Sequence, residues 1–423
     1  MSTRTYQFAC QLAPAQADAL NMESARIYNA VMVEHWRIYR KKGIWLRQGA
    51  AEKLNDNYDA DTARLLHAHS IDAAQQAFYK ACKQVHTRRR QGDETVSFPY
   101  RRRRFRTTIW KSSGVYAVED GVMYLSLARG YERLAVRLPS HLDGMQKQHI
   151  LEVRLVFNQS TLRYNWHVVA EDGVQPEPNG QGIAGVDLGE IHPAAITDEV
   201  ESCVVSCREL RALNQGRNKR VASIDSKLAT YQKGSRRWRK LKGRKRRFLA
   251  QCNQRQRDIE HKIARSVVDW AQERAIGWLA IGDVRDIADG KRLDRKAQQK
   301  IANWSHGTMR KYIRYKAAEV GIQVDDTVSE RYTSQTCPGC KRQHKPRGRI
   351  FKCPHCGRQF HRDVVGAANI LSRYKFDELG CCAAPEPKYR HPVDVRGKRS
   401  PVGTGEMARS GENRARLAEA AGF

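Results

Sequence analysis

The sequence predicts an α/β protein in two parts: a β-rich N-terminal half interrupted by helices, then a half in which strands and helices alternate. Three observations carry this. Residues 149–157 and 161–170 read as paired strands around the turn Asn158-Gln159-Ser160. Residues 171–182 (EDGVQPEPNGQG) have the polar, Pro- and Gly-rich composition of a linker. Beyond them, Ile183-Ala184-Gly185-Val186-Asp187 is a buried-type strand ending in an acid, and helical and extended patterns alternate after it.

Taken in order, residues 3–12 alternate, with Tyr6, Phe8, Cys10 and Leu12 on one face of a strand. Pro14 suits the first position of a helix, and Leu20, Ile27, Tyr28, Val31 and Met32 form its apolar stripe. A further helix from about Ser70 carries Ile71, Ala74, Phe78, Cys82 and Val85 at three- and four-residue steps. Val96-Ser97-Phe98-Pro99 closes the helical block, and short β segments run to about residue 170. After the acid-ended strand, two short strands reach Ser206, and a long basic helical region ends in a stripe of Ile259, Ile263, Val267, Trp270 and Ala271. A strand over 275–282, a helix over 296–320 stopped by Gly321, and a strand over 322–328 complete the alternation. From about Lys375 the composition turns to Pro, Gly, Arg and Glu without periodicity, which reads as a disordered tail.

The chain of 423 residues has 76 Lys and Arg against 45 acidic residues, a net charge of +31 that points to a polyanionic partner. The surplus is organised. Arg101, Arg102, Arg103, Arg104 and Arg106 form one cluster around Phe105. A second holds Arg236, Arg237, Trp238, Arg239, Lys240, Arg244, Lys245, Arg246 and Arg247. Arginine interleaved with aromatics can hold phosphates while the rings stack on bases. A single run is as readily a solvated face or a localisation signal. Membrane binding would want an amphipathic anchor beside the charge, and none is evident.

Cys337-Pro338-Gly339-Cys340 and Cys353-Pro354-His355-Cys356 are two Cys-x-x-Cys knuckles, whose four thiolates suit a closed tetrahedral structural Zn²⁺ site in a zinc ribbon. Disulfides or a redox pair are the competing readings. Eleven cysteines with no signal-type start and no long apolar run favour a reducing, soluble, intracellular setting, cytoplasmic and nucleoid-associated in a prokaryote.

Three β segments followed by helix, strand, helix and strand, with acids at strand ends, suit an RNase H-like sheet. There, carboxylates clamp two divalent ions that stabilise the attacking and leaving oxygens of a phosphodiester. Mg²⁺ takes a few carboxylates plus waters and substrate oxygens. Asp187 is one candidate. Asp363 is another, at the start of an Ala-rich helix after the ribbon, where the helix N-terminus favours negative charge. Either alone is more commonly a turn or N-cap aspartate.

Gly185-Val186-Asp187-Leu188-Gly189, then Thr333-Ser334-Gln335-Thr336-Cys337 leading into the ribbon, then Arg362-Asp363 with Gly366-Ala367-Ala368-Asn369-Ile370, resemble TnpB proteins. These are transposon-encoded RNA-guided nucleases related to type V CRISPR effectors and to Fanzor. The resemblance spans about residues 183–371. It implies a wedge-type β domain over 1–170 with an inserted helical recognition lobe (about 14–95), the linker 171–182, and a RuvC-like nuclease domain over 183–375. The last carries a basic helical insertion (about 208–256) and the ribbon (about 333–360), and 376–423 is the tail. It also implies a guide RNA from the element's end, a double-stranded DNA target with a short flanking motif, and Mg²⁺-dependent DNA cleavage.

One departure matters. In most such proteins the strand corresponding to 275–282 ends in a glutamate, the middle carboxylate, whereas this chain has Ile281-Gly282-Asp283. Asp283 is one substitute, although a one-residue slip turns a strand side chain to the opposite face. The site is otherwise dead, leaving an RNA-guided DNA-binding, repressor-like protein, or the carboxylate has relocated. Glu330 lies just past strand 322–328, which as the next strand of a crossover would run about 4.8 Å from its predecessor and open onto the same sheet edge. The favoured set is Asp187, Glu330 and Asp363 on Mg²⁺, with Asp283 as fallback for Glu330; Asp325 and Asp326 lie mid-strand and are weaker.

Overall fold

A computed structural model describes residues 3–56, 65–159, 161–171, 176–284 and 294–392. The chain divides into two compact units, Met1–Val174 and Gln175–Phe423. Ser160 of the expected turn, 172–175 of the expected linker and 393–423 of the expected tail lie outside the described residues.

The N-terminal unit begins with β1 (Thr3–Ala9), followed by α1 (Pro14–Lys42), α2 (Gln48–Asp56) and α3 (Ala68–Arg90). Then come β2 (Thr108–Lys111), β3 (Val115–Glu119), β4 (Val122–Leu125), β5 (Leu134–Arg137), β6 (Ile150–Asn158) and β7 (Arg163–Glu171). Strands β1-β7-β6-β2 form one antiparallel sheet and β3-β4-β5 a second. Trp110, Met123, Leu125, Ile150, Leu155 and Trp166 are fully buried in the shared core with Leu20 of α1. The helix α1 starts at Pro14, where no N–H partner is needed, and stops at Gly43, which takes the left-handed φ of +66°.

In the C-terminal unit, β8 (Gly182–Asp187), β9 (Ala194–Thr197) and β10 (Ser202–Val205) pair antiparallel. The chain continues through α4 (Arg208–Ala229), α5 (Arg236–Glu273), β11 (Ile276–Asp283), α6 (Arg295–Asn303), α7 (His306–Ala318) and β12 (Gln323–Ser329). It ends in a small hairpin, β13 (Ile350–Lys352) and β14 (Gln359–His361), then α8 (Arg362–Phe376) and β15 (Pro387–Arg390). The six-stranded sheet has the order β12-β11-β8-β9-β10-β15, with β8, β11 and β12 parallel.

Period-2 alternation assigns the two faces of this sheet. Ala184 and Val186 of β8 and Leu279 and Ile281 of β11 pack against Ile263 and Val267 of α5 and Met309 and Ile313 of α7. Their neighbours face α8: Ala280 meets Ile370, and Ala195 and Val204 meet Val364 and Ala367. Helix α8 lies close on β8, because a Cβ at Gly185 would come within 2.2 Å of the Ala367 carbonyl oxygen. Only glycine permits that approach.

Three expectations are corrected. The helix expected over 296–320 is two, α6 and α7, broken at Trp304 and Ser305, where the Ser305 carbonyl accepts from Thr308 and Met309 to start a new turn. The basic insertion does not stop near 256; α5 is one helix to Glu273, so its exposed basic end and its buried amphipathic end are continuous. Residues 376–392 are no tail: β15 pairs parallel to β10, and Ser202 Oγ donates to the Pro385 carbonyl at 2.7 Å. A four-residue strand carries almost no periodic signal, and pairing with a partner far away in sequence fixes it.

Candidate functional site

Asp187 closes β8 on the α8 face. Its carboxylate lies directly over Gly366, one turn into α8: a Cβ there would be 2.4 Å from Asp187 Oδ2 and 2.9 Å from Cγ. The glycine therefore makes room for the acid. Burial pushes the Asp187 carboxyl well above the ordinary carboxylate range, the charges of Glu330 and Asp363 raise it further, and Arg362 opposes them.

Gly282 is the next position across the sheet, since Ile281 pairs with Val186 and Asp187 follows Val186. A Cβ built on Gly282 would lie 2.1 Å from Glu330 Oε1, 2.6 Å from its Cγ and 2.7 Å from its Cδ. The Glu330 side chain thus fills the space that a side chain at 282 would occupy. Its Oε1 is buried and has no hydrogen-bond partner. Burial, and then the charge of Asp283, raise the Glu330 carboxyl to about 7 against the pull of Arg310.

Glu330 reaches this face through an irregularity in β12. Val324 packs on the α5–α7 side, and Asp326 accepts from Arg310 Nε of α7 at 3.2 Å. Simple alternation would send Glu330 to that side too. Instead the pairing passes from Ala280↔Asp325 to Gly282↔Val328, so three steps of β12 match two of β11. This β-bulge reverses the alternation: Val328 packs with Ala280 and Ile370 on the α8 side, and Glu330, two residues on, follows it.

Asp283, the fallback, points the other way. It pairs with Arg310 Nη1 of α7 at 3.0 Å, on the face opposite Asp187. Asp326 is held by the same Arg310 and by Arg314. Asp325 accepts from its own strand at Thr327, with Asp325 Oδ1 2.9 Å from Thr327 N.

Asp363, the second residue of α8, accepts from His192 Nδ1 at 2.7 Å and from Arg349 Nη1 at 3.1 Å. Burial alone would raise its carboxyl, but the His192 hydrogen bond and the charges of His361, His192 and Arg349 hold it below the usual range. His192, His361 and Asp363 bring two nitrogens and an oxygen within 4.8 Å of one another. The Arg349 guanidinium and His192 share the same Asp363 oxygen, so Oδ2 is engaged in a charge and hydrogen-bond network. His192 and Arg349 had no sequence signal beyond lying five residues after Asp187 and between the two cysteine pairs. His361 adjoined a residue already singled out.

The four knuckle cysteines converge, with Cys337 Sγ 3.7 Å from Cys356 Sγ and Cys340 Sγ 3.6 Å from Cys353 Sγ. Four sulfurs about 2.3 Å from a tetrahedral Zn²⁺ would stand about 3.8 Å apart, so the donor set fits that ion. The spacing is far too long for a disulfide. From Cys356 the chain runs through β14 directly into α8, so the cysteine cluster anchors the segment that carries Asp363.

Of the basic clusters, Arg101–Arg104 lie exposed in the segment between α3 and β2. Arg106 differs: its guanidinium stacks 3.9 Å from the Tyr28 ring centroid, so it is engaged within the fold. On α5, Arg236, Arg237, Arg239, Lys240, Arg244, Arg246 and Arg247 are exposed, while Lys245 pairs with Asp225 and Trp238 lies under Lys242.

Two family models match: one described as Cas12f1-like, TNB domain, over residues 306–370, and one described as a probable transposase over residues 166–288. A TnpB-like protein of Methanocaldococcus jannaschii is 25% identical over 216 residues, covering 49% of this chain and 74% of that protein. The CRISPR-associated endodeoxyribonuclease Cas12f1 of Sulfoacidibacillus thermotolerans is 32% identical over 114 residues, covering 26% of this chain and 25% of that protein. In fold, the Cas12f1 chain of a solved Cas12f1–sgRNA–target DNA complex superposes with a TM-score of 0.55 at 15% identity, covering 85% of this chain and 83% of its own. Together these matches support a TnpB-family protein related to the type V effectors.

Proposed function

We propose that this chain is an RNA-guided DNA endonuclease whose hydrolytic site is built from Asp187, Glu330 and Asp363. The observation that carries the reading is the Glu330 side chain standing where a residue at 282 would stand, next to Asp187 and with a buried oxygen lacking any partner. Two neighbouring, partly buried acids with raised pKa values are unstable as anions unless a cation compensates them. That need suits Mg²⁺. The sheet order, with its antiparallel β8-β9-β10 and parallel β11 and β12, supports an RNase H-like, RuvC-type domain, and the β-rich N-terminal unit with its three helices supports a wedge-type domain with a helical lobe.

Bound divalent ions would supply the charge that stabilises the attacking and leaving oxygens of a phosphodiester. The protein's own part is positional. Gly366 lets Asp187 lie on α8, the β12 bulge turns Glu330 inward, and His192 and Arg349 keep Asp363 ionised. Cys337, Cys340, Cys353 and Cys356 hold structural Zn²⁺ and so fix the start of α8. The exposed arginines of 101–104 and of α5 contact the backbone of guide RNA and its duplex with DNA, leaving sequence to base pairing. The guide is transcribed from the element's end, and the DNA target carries a short flanking motif.

The test is cleavage of a guide-matched plasmid with Mg²⁺. Wild type cuts, and Glu330→Ala loses at least about 100-fold, the scale of removing a group that orients the reacting atoms. Binding without cutting by the intact protein would instead make it a nuclease-inactive, guide-directed DNA binder.

A further inference from the structure

We infer that Arg373 is the positioning residue of Glu330, a clamp required because this carboxylate stands on a loop and not on a strand. The inference rests on Glu330 acting as a ligand. A glutamate at 282 would be held by β11, paired on both sides. Glu330 lies one residue past the end of β12, and the next strand does not begin until Ile350. Something else must fix its backbone.

That work falls to α8. Arg373 Nη1 donates to the Ser329 carbonyl at 2.7 Å and to the Arg331 carbonyl at 2.9 Å, the two acceptors that bracket Glu330. One turn earlier, Asn369 Nδ2 donates to the Thr333 and Thr336 carbonyls at 2.7 and 2.8 Å, closing the turn that follows. Residues 369 and 373 are four apart and share one face of the helix. The turn includes Tyr332 at φ +65°, a conformation that an aromatic residue keeps only when its surroundings impose it. Helix α8 thus carries Asp363 at its start, accommodates Asp187 at Gly366, and grips the loop of Glu330 at its far end. A single rigid element sets the spacing of all three acids. Arg373 touches none of the reacting atoms.

The test compares two backgrounds in the full-length chain, reading Mn²⁺ affinity by calorimetry and guide-directed cleavage in single turnover. In the native background, Arg373→Ala is expected to weaken Mn²⁺ binding and cleavage about 10- to 100-fold, the usual scale for groups that orient metal ligands. Arg373→Lys, whose ammonium can still donate to two carbonyls, retains most of both. In the Gly282→Glu/Glu330→Ala background the acid is returned to β11, and adding Arg373→Ala there costs less than about threefold. Equal losses in both backgrounds would mean a merely structural arginine and overturn the inference, as would wild-type behaviour of Arg373→Ala alongside a disabled Glu330→Ala. Wild-type Mn²⁺ affinity in Glu330→Ala would overturn the Glu330 reading and the clamp together. If Arg373→Ala fails to fold, Arg373→Met keeps the stem without the donors and gives the same comparison.

Discussion

Replacing Gly366 with alanine adds one methyl group where the Asp187 carboxylate rests. The added carbon would lie 2.4 Å from Asp187 Oδ2, while ordinary contact begins near 3.4 Å, so acid or helix must move by about 1 Å. Helix α8 cannot easily retreat, because Val364, Ala367, Ala368, Ile370 and Leu371 are fully buried around it. Asp187 therefore yields. A displacement of about 1 Å at a reacting centre costs on the order of 100-fold in rate. Stability changes little by comparison: alanine gains about 1 kcal/mol of helix propensity over glycine, against about 1–3 kcal/mol of overpacking. For a unit of this size the melting temperature should fall by less than about 8 °C. Single-turnover cleavage of guide-matched DNA, Mn²⁺ calorimetry and a thermal melt measure the three quantities. Wild-type cleavage and wild-type Mn²⁺ affinity in Gly366→Ala would refute the placement of Asp187 as a ligand.

Three further outcomes are expected. Glu330 has a folded pKa of about 7, above the ordinary 4.5, so the folded state holds the extra proton and its stability falls as pH rises from about 4.5 through 7. In Mg²⁺-free buffer, Glu330→Gln should match wild type near pH 4.5 and exceed it by up to about 3 kcal/mol above pH 7, read by urea unfolding; a pH-independent difference would count against the buried acid pair. Cys353→Ser should release the chain's Zn²⁺, measured by metal analysis, and loosen α8 enough to lower Mn²⁺ affinity as well. Changing the exposed Arg236, Arg237, Arg239 and Lys240 of α5 to alanine should reduce the salt dependence of RNA binding by up to about 3 in log–log slope, and an unchanged slope would remove α5 from the nucleic-acid surface.

Much of this arrangement was legible in the sequence, for reasons that differ by residue. The cysteines were readable because metal coordination imposes a local spacing. Asp187 and Asp363 were readable because each sits at a junction, one closing an apolar strand and the other opening an Ala-rich helix. Glu330 could be reached by adjacency of parallel strands, yet its orientation could not. Strict alternation from Val324 sends it toward α7, and only the bulge at Asp326–Val328 reverses that. Within the bulge Asp326 is held by Arg310 and Arg314, which reach it from another helix, and no window of β12 reveals them. The same limit hid β15, whose four residues are strand only because β10 runs beside them, and the break at Ser305.

The overlap at Gly282 carries a consequence for how such a pocket is recognised. Because a Cβ at 282 and the Glu330 carboxylate claim the same volume, the two addresses for the middle acid are mutually exclusive. A side chain at 282 would displace the Glu330 carboxylate from its present position. A comparison that inspects only position 282 would read glycine and miss the carboxylate that stands in the same volume. The pocket is defined by the volume that a carboxylate fills, and in this chain position 330 reaches that volume in place of position 282.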